Sequence, residues 1–327
     1  MAASSTPTAS GYTVAGVIKE FPRTVARGVG QVMFQDSAWT GLLFLIGIFW
    51  GAYAEGSPLV AWGALTGVVV STLTGYLSGL QDENGAQGLW GFNGVLVGCA
   101  FPTFLGNTIW MWLALIFCSA LTTWVRNAFN NITGKWGVSS FTFPFVFCTW
   151  CFLLAARQFH GMPDTGMSTP EIVYNVPASI DMGLGDLVVY WLKGIAQVFL
   201  INNWVTGIFF LIGLALCSVR AAVWAAIASA ISLLIALCFH APGASVAEGL
   251  YGFSAVLTGI ALGATFCRFT WQTAVWSVCG IIATVFIQAG MNSFMAPLGL
   301  ATLTGPFCIG TWLFLLPAYK WFEPKNS

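Results

Sequence analysis

A chain of 327 residues in which 57% are hydrophobic and 7% charged cannot cover its own surface as a soluble domain, where about a quarter of residues carry charge. Eleven basic and eleven acidic residues cancel to a formal net charge of zero, which excludes the clustered positive charge that a nucleic-acid partner requires. The solvent that suits such a chain is a lipid bilayer.

Residues 1–26 are rich in Ser and Thr and lack the apolar core of a cleavable leader, so a first true span is expected to direct insertion. Apolar runs long enough to enter a membrane follow at 38–54, 58–79, 109–126, 143–156, 204–219, 221–239, 271–290 and 307–321. With further glycine-interrupted stretches, the length accommodates about ten full spans. These runs are too long and too uniformly apolar for β-barrel strands, so the expected fold is an all-α integral membrane protein. Lys19, Arg23 and Arg27 before the first span, and Lys320 and Lys325 after the last, place both termini in the cytoplasm by the positive-inside rule.

The chain repeats itself. Gly28-Val29-Gly30-Gln31-Val32 returns as Gly194-Ile195-Ala196-Gln197-Val198, and Thr40-Gly41 with the apolar run to Gly47 returns as Thr206-Gly207 with the run to Gly213. Gly88-Leu89-Trp90-Gly91-Phe92-Asn93 returns as Gly249-Leu250-Tyr251-Gly252-Phe253-Ser254. Thr142-Phe143-Pro144-Phe145 returns as Thr304-Gly305-Pro306-Phe307, each followed by Thr-Trp. The order is the same in both copies. This divides the chain into an N-terminal cytoplasmic segment (1–26), a first membrane repeat (27–157), a polar connecting loop (158–185), a second membrane repeat (186–321) and a C-terminal tail (322–327). An odd number of spans in each repeat inverts one copy relative to the other, with a site expected at their interface near the midplane.

Residues 86–100 and 245–261 are short, apolar and bracketed by glycines. They read as half-helices that enter the membrane and stop, because irregular backbone is tolerated at depth only against protein or a water-filled cavity. Glycines for close packing of an ordinary span are the alternative. Cys148 and Cys151 form a C-x-x-C, but with no second pair and no nearby histidine the nine cysteines read as small hydrophobes, and no metal or cofactor is implied.

Gln31 and Phe34, Gln197 and Leu200, Phe92 and Leu96, and Phe253 and Leu257 are spaced to share helix faces. Thr142 and Thr304 stand before prolines expected to disturb a helix. One such residue alone is more often packing, or a hydroxyl bonded to its own backbone; repetition in both halves brings the copies together. The repeated elements contain Gln, Thr, Phe and Leu and no Asp, Glu, Lys, Arg or His. A charged substrate or a proton-coupled pump needs one, and the nearest acids, Asp36 and Glu248, have no acidic counterpart. This lining fits a small, flat, neutral, polar solute, selected by pore size and hydrogen-bonding groups.

These motifs resemble the urea transporters, over residues 25–321. The resemblance implies two inverted repeats of five spans plus a re-entrant or tilted half-helix each, a homotrimer with one pore per subunit, and passive, channel-like permeation of urea. It implies that Gln31 and Phe34 line one wide site, with Gln197 and Leu200 as their counterparts. Phe92 with Leu96, and Phe253 with Leu257, wall two slots beside Val198, and Thr142 and Thr304 face the narrow middle. The chain differs from some relatives in having Gln197 for an acid and Leu200 for Phe, and Ser254 breaks the match to Asn93. The other readings are a pore for short amides or ammonia and an ion-coupled transporter. No G-x-S-x-G, H-E-x-x-H or P-loop is present, so an enzyme is not expected. The compact chain suggests a bacterial inner membrane.

Overall fold

The computed structural model describes residues 14–78, 85–173 and 182–317. The first half of the N-terminal segment (1–13), residues 79–84, the middle of the connecting loop and the C-terminal tail lie outside the described residues.

Thirteen helices carry the described chain. The first copy contains α1 (Val14–Gln31), α2 (Ala38–Ala54), α3 (Pro58–Leu77), α4 (Phe92–Phe104), α5 (Ile109–Thr133) and α6 (Phe143–Ala156). The second contains α7 (Leu184–Ala196), α8 (Trp204–Cys217), α9 (Val219–Cys238), a single turn α10 (Gly243–Ala247), α11 (Phe253–Ile260), α12 (Trp271–Met295) and α13 (Gly305–Leu315). Among the described residues the only strand-like feature is an isolated bridge between Leu105 and Asp164.

The expected spans are realised unevenly. Four uninterrupted helices are long and apolar enough to cross a membrane: Pro58–Leu77, Ile109–Trp136, Val219–Cys238 and Trp271–Leu298. The pair Leu184–Phe199 and Trp204–Cys217 reaches that length only together and is bent by 72°, as in a broken span or a re-entrant loop. The remaining apolar runs are helices of 10–17 residues, which at about 1.5 Å per residue fall short of the ~30 Å hydrocarbon core. Hydropathy does not report where a helix breaks, so broken and half-length helices look like full spans in the sequence. The run at 109–126 continues as helix to Thr133. Arg126, which ends that run in the sequence, therefore lies buried inside α5, its guanidinium 5.9 Å from the centre of the Phe92 ring.

Neither glycine-rich stretch is an ordinary span, although the close packing expected of its glycines is present. Each is a short helix that starts later than the sequence suggests, at Phe92 and at Phe253; the second continues as a π-helical stretch over Ala261–Thr265. The glycines also serve close packing. A Cβ on Gly63 would lie 2.2 Å from the Gly98 carbonyl oxygen, and one on Gly67 would lie 2.0 Å from that of Gly94. α3 and α4 thus run antiparallel with their backbones in contact, as small-xxx-small seams do.

Reciprocal contacts relate the copies. Thr40 near the start of α2 donates to the Gly213 carbonyl near the end of α8 (2.9 Å), and Thr206 near the start of α8 donates to the Gly47 carbonyl of α2 (2.7 Å). Likewise Trp150 Nε1 donates to Ala301 O (2.9 Å) and Trp312 Nε1 to Ser139 O (2.8 Å). Each bond has its partner with the copies exchanged, and α2 and α8 are antiparallel, so the relation is a pseudo-two-fold axis perpendicular to these helices. Caps repeat too: Ser37 and Asn203 start α2 and α8, and Thr108 and Thr270 start α5 and α12. Thr40→Val and Thr206→Val are each expected to destabilise the fold by about 1 kcal/mol, the net worth of one buried hydrogen bond. Thermal unfolding in detergent measures this, and unchanged curves for both would mean the helix seam stands on packing alone.

Five of the nine cysteines are buried; Cys151, Cys217, Cys238 and Cys279 are exposed. The expectation of buried thiols therefore fails for these four, which lie on the outer faces of helices where a thiol meets lipid as a small apolar group.

Candidate functional site

The site is built where helices stop. α1 ends at Gln31, and the chain turns through Phe34, whose φ is +62°; the counterpart α7 passes through a 3-10 turn (Gln197–Phe199) to Leu200 at φ +58°. The helical spacing read between Gln31 and Phe34, and between Gln197 and Leu200, is thus corrected. Each pair straddles a helix terminus closed by a left-handed residue, a role that glycine usually fills. A left-handed Phe or Leu is strained and persists only where the surroundings hold it. Val198 lies fully buried in the 3-10 turn beside Gln197.

Both amides are fixed the same way. Gln31 Nε2 donates to the Gln87 carbonyl (3.0 Å) and Gln197 Nε2 to the Glu248 carbonyl (2.9 Å). A carbonyl partner must face the NH2 end, so each amide presents its oxygen the other way. Both bonds land on the turn just before the half-helices α4 and α11, which carry Phe92 (6% exposed) with Leu96 (0%) and Phe253 (9%) with Leu257 (0%). The packing is tight: Gly28 meets Gly91 and Gly88, and Gly194 meets Gly252 and Gly249. Gly88 and Gly249 have φ of +99° and +73°, so a side chain at either is excluded twice over, by conformation and by space.

The centre is a threonine pair. The Thr142 and Thr304 hydroxyls share a hydrogen bond of 2.6 Å, with the Cys308 thiol 3.4 Å from Thr142 Oγ1, and both threonines are 2% exposed. Each is the N-cap of its helix, α6 or α13, and neither side chain caps it. A threonine in that position ordinarily accepts a backbone N–H from the first turn; here both hydroxyls turn away to meet on the pseudo-two-fold axis. The prolines do not disturb these helices. Pro144 and Pro306 sit in the first turn, where the missing N–H costs nothing and φ is already helical. Two helix N-termini therefore point at one spot, and their dipoles make it unfavourable for a cation.

Phe141 and Leu303, one residue before each threonine, are also left-handed, with φ of +50° and +51°. Sequence reasoning passed over them; their matching position before both threonines was the available signal. Around them Phe34 packs edge-on against Phe266 at 5.4 Å and Phe141 at 6.3 Å, with Phe307 at 6.0 Å. The Asn93 and Ser254 mismatch has a structural counterpart. Asn93 Oδ1 accepts the backbone N–H of Phe145 in the first turn of α6 (3.1 Å), whereas the Ser254 hydroxyl is buried without a partner. Asp36 is ion-paired to Arg27 at 3.1 Å. Among the described residues that meet at the threonine pair there is no Asp, Glu, Lys, Arg or His, and the Cys308 thiol is neutral in its protonated form.

A family model described as urea transporter matches residues 23–319. Urea transporter 1 of Ovis aries is 32% identical over 333 residues, covering 96% of this chain and 84% of that protein. Urea transporter 1 of Capra hircus matches to the same extent. Urea transporter 1 of Mus musculus is 30% identical over 308 residues, covering 93% of this chain and 79% of that protein.

Proposed function

The chain belongs to the urea transporter family, and on that premise we propose that it lets urea cross the membrane passively, down its gradient, between its two copies. The observation that carries this reading is the pair of buried N-cap threonines whose hydroxyls forgo their helices and meet on the axis.

Urea is flat, with four N–H donors and one carbonyl acceptor. Entering a narrow passage strips its water, and each unreplaced hydrogen bond costs about 1–3 kcal/mol. The oxygens of Gln31 and Gln197 receive its N–H groups at either end, and the Thr142 and Thr304 hydroxyls do so at the centre. Phe34 at one end and Leu200 at the other, with Phe92 and Leu96, Phe253 and Leu257, and Val198 beside them, form apolar walls that pass a flat solute and offer a hydrated ion nothing. The two converging helix N-termini add a barrier to sodium, protons and ammonium. The same groups pass short amides less well, because a methyl thickens the solute and replaces donors.

Residues 27–157 and 186–321 are the two repeats in this reading, joined by 158–185. Basic residues before the first span and after the last favour cytoplasmic termini. The reading extends to a homotrimer with one pore per subunit, for which the family resemblance is the support.

The test is urea efflux from proteoliposomes by stopped-flow light scattering. Efflux is expected to be fast, unchanged by an imposed proton or sodium gradient, and flat between about pH 5.5 and 7.5, since the described residues at the threonine pair include no carboxylate, imidazole or amine. Uphill accumulation that collapses with a gradient would instead establish a coupled transporter.

A further inference from the structure

Four phenylalanines from four distant segments meet beside the threonine pair. Besides the Phe34 contacts, Phe141 lies 5.5 Å from Phe266 and 5.4 Å from Phe307. Phe34 and Phe266 are half-buried, while Phe141 and Phe307 are buried behind them. The repeat relation carries Phe34 to Leu200, Phe141 to Leu303, Phe266 to Leu105 and Phe307 to Phe145. One set is wholly aromatic; its counterpart is three leucines and one phenylalanine.

The aromatic set lies on the side away from the connecting loop. That loop packs at the C-terminal end of α12, where Glu171 N–H donates to Ala296 O (3.1 Å) and Arg157 Nη2 to Gly299 O (3.4 Å). Phe266 precedes the other end of this 25-residue helix, about 37 Å away along its axis.

The two half-helices also end differently. The end of α4 is closed by the loop itself, through Gly106 N–H to Pro163 O (2.8 Å) and Thr165 and Gly166 N–H to Phe104 O (3.2 and 3.0 Å). The end of α11, where the helix widens to π, is closed by a side chain. Arg220 Nε donates to Gly263 O at 2.7 Å and Nη2 to Cys267 O at 3.4 Å, with the guanidinium 4.9 Å from the Phe269 ring. Terminal helix carbonyls need such partners, and these two bracket Phe266. Leu59 stands at the counterpart of Arg220.

We infer that Phe266 is a selectivity-determining wall of one pore mouth, facing Phe34, and that Arg220 is the positioning residue that holds it there. This rests on the urea-permeation reading. The aromatic mouth is the thickness sieve, because rigid rings resist a solute thickened by a methyl group, whose hydrogens stand above and below the urea plane. The leucine mouth yields by rotamer change.

The experiment compares permeability to urea and N-methylurea in proteoliposomes. Phe266→Leu is expected to raise the N-methylurea-to-urea ratio about tenfold, the lower range for one methyl in a tight apolar site, with urea flux retained. Phe266→Met, close in volume and lacking the flat ring, is expected to shift it the same way. Arg220→Met should raise the ratio by a smaller factor, Arg220→Lys should restore part of the discrimination, and Arg220→Met should add nothing in the Phe266→Leu background. A ratio unchanged in both Phe266 variants overturns the wall assignment. An equal effect of Arg220→Met with and without Phe266 overturns the positioning role. No urea flux from the unaltered protein would remove the permeation reading itself, which the wild-type control reports separately.

Discussion

Thr304→Val lowers urea flux per folded protein about tenfold or more. The substitution keeps volume and β-branching and removes one oxygen at the point where urea is least hydrated. Losing one buried hydrogen bond there costs about 1–3 kcal/mol, and about 1.4 kcal/mol is a factor of ten in rate. Thr142→Val is expected to act alike, because the two hydroxyls are equivalent partners in one 2.6 Å bond. Thr304→Ser keeps the oxygen and should retain most of the flux. Thr304→Val leaves the Thr142 hydroxyl with the Cys308 thiol or a solute to bond, and Thr142→Val leaves the Thr304 hydroxyl to a solute, so flux is normalised to protein that elutes as a folded species. Unchanged flux in both valine variants would remove the threonine pair from the path.

Gly98→Leu abolishes folding, and Gly98→Ala costs about 1–3 kcal/mol by overpacking. A Cβ at Gly98 would stand 2.0 Å from the Gly63 carbonyl oxygen and 2.8 Å from Ala64 Cα. Backbone rather than a flexible side chain is in the way, so α4 must move off α3 and take Phe92 and Leu96 with it. Gly290→Ala is the control. That glycine lies inside α12 with nothing within 4 Å of an added Cβ, so alanine there should be neutral or stabilise by up to about 1 kcal/mol through helix propensity. Thermal unfolding of the variants in detergent reads both effects. A Gly98→Ala protein as stable as the Gly290→Ala control would contradict the backbone-contact seam.

The duplicated design was legible because each repeated motif does one job in both copies. The two Thr-Gly elements supply the reciprocal α2–α8 bonds, the two glutamines anchor at the half-helix entrances, and the two Thr-Trp elements brace the loops across the axis. The helix limits at Ala38–Ala54 and Phe143–Ala156 followed from hydropathy alone. What stayed hidden is backbone and tertiary in origin. Phe34, Leu200, Phe141 and Leu303 adopt left-handed conformations without the glycine that would advertise them, so in the sequence these helix ends look like helix faces. Phe266 joins the site from a segment with no repeated motif, and its ring neighbours lie far apart in the chain. Arg220 and Arg126 look like residues at span ends, and only the fold shows one capping a half-helix and the other over a slot ring.

The most direct test of a path between the copies is a structure determined with selenourea, whose selenium can be located independently of the protein density. Selenium sites are expected on the pseudo-two-fold path, near the Gln31 and Gln197 oxygens and within reach of the Thr142 and Thr304 hydroxyls, and the central site is expected to be lost in Thr304→Val. Selenium bound only outside that path, in protein that conducts urea, would contradict it.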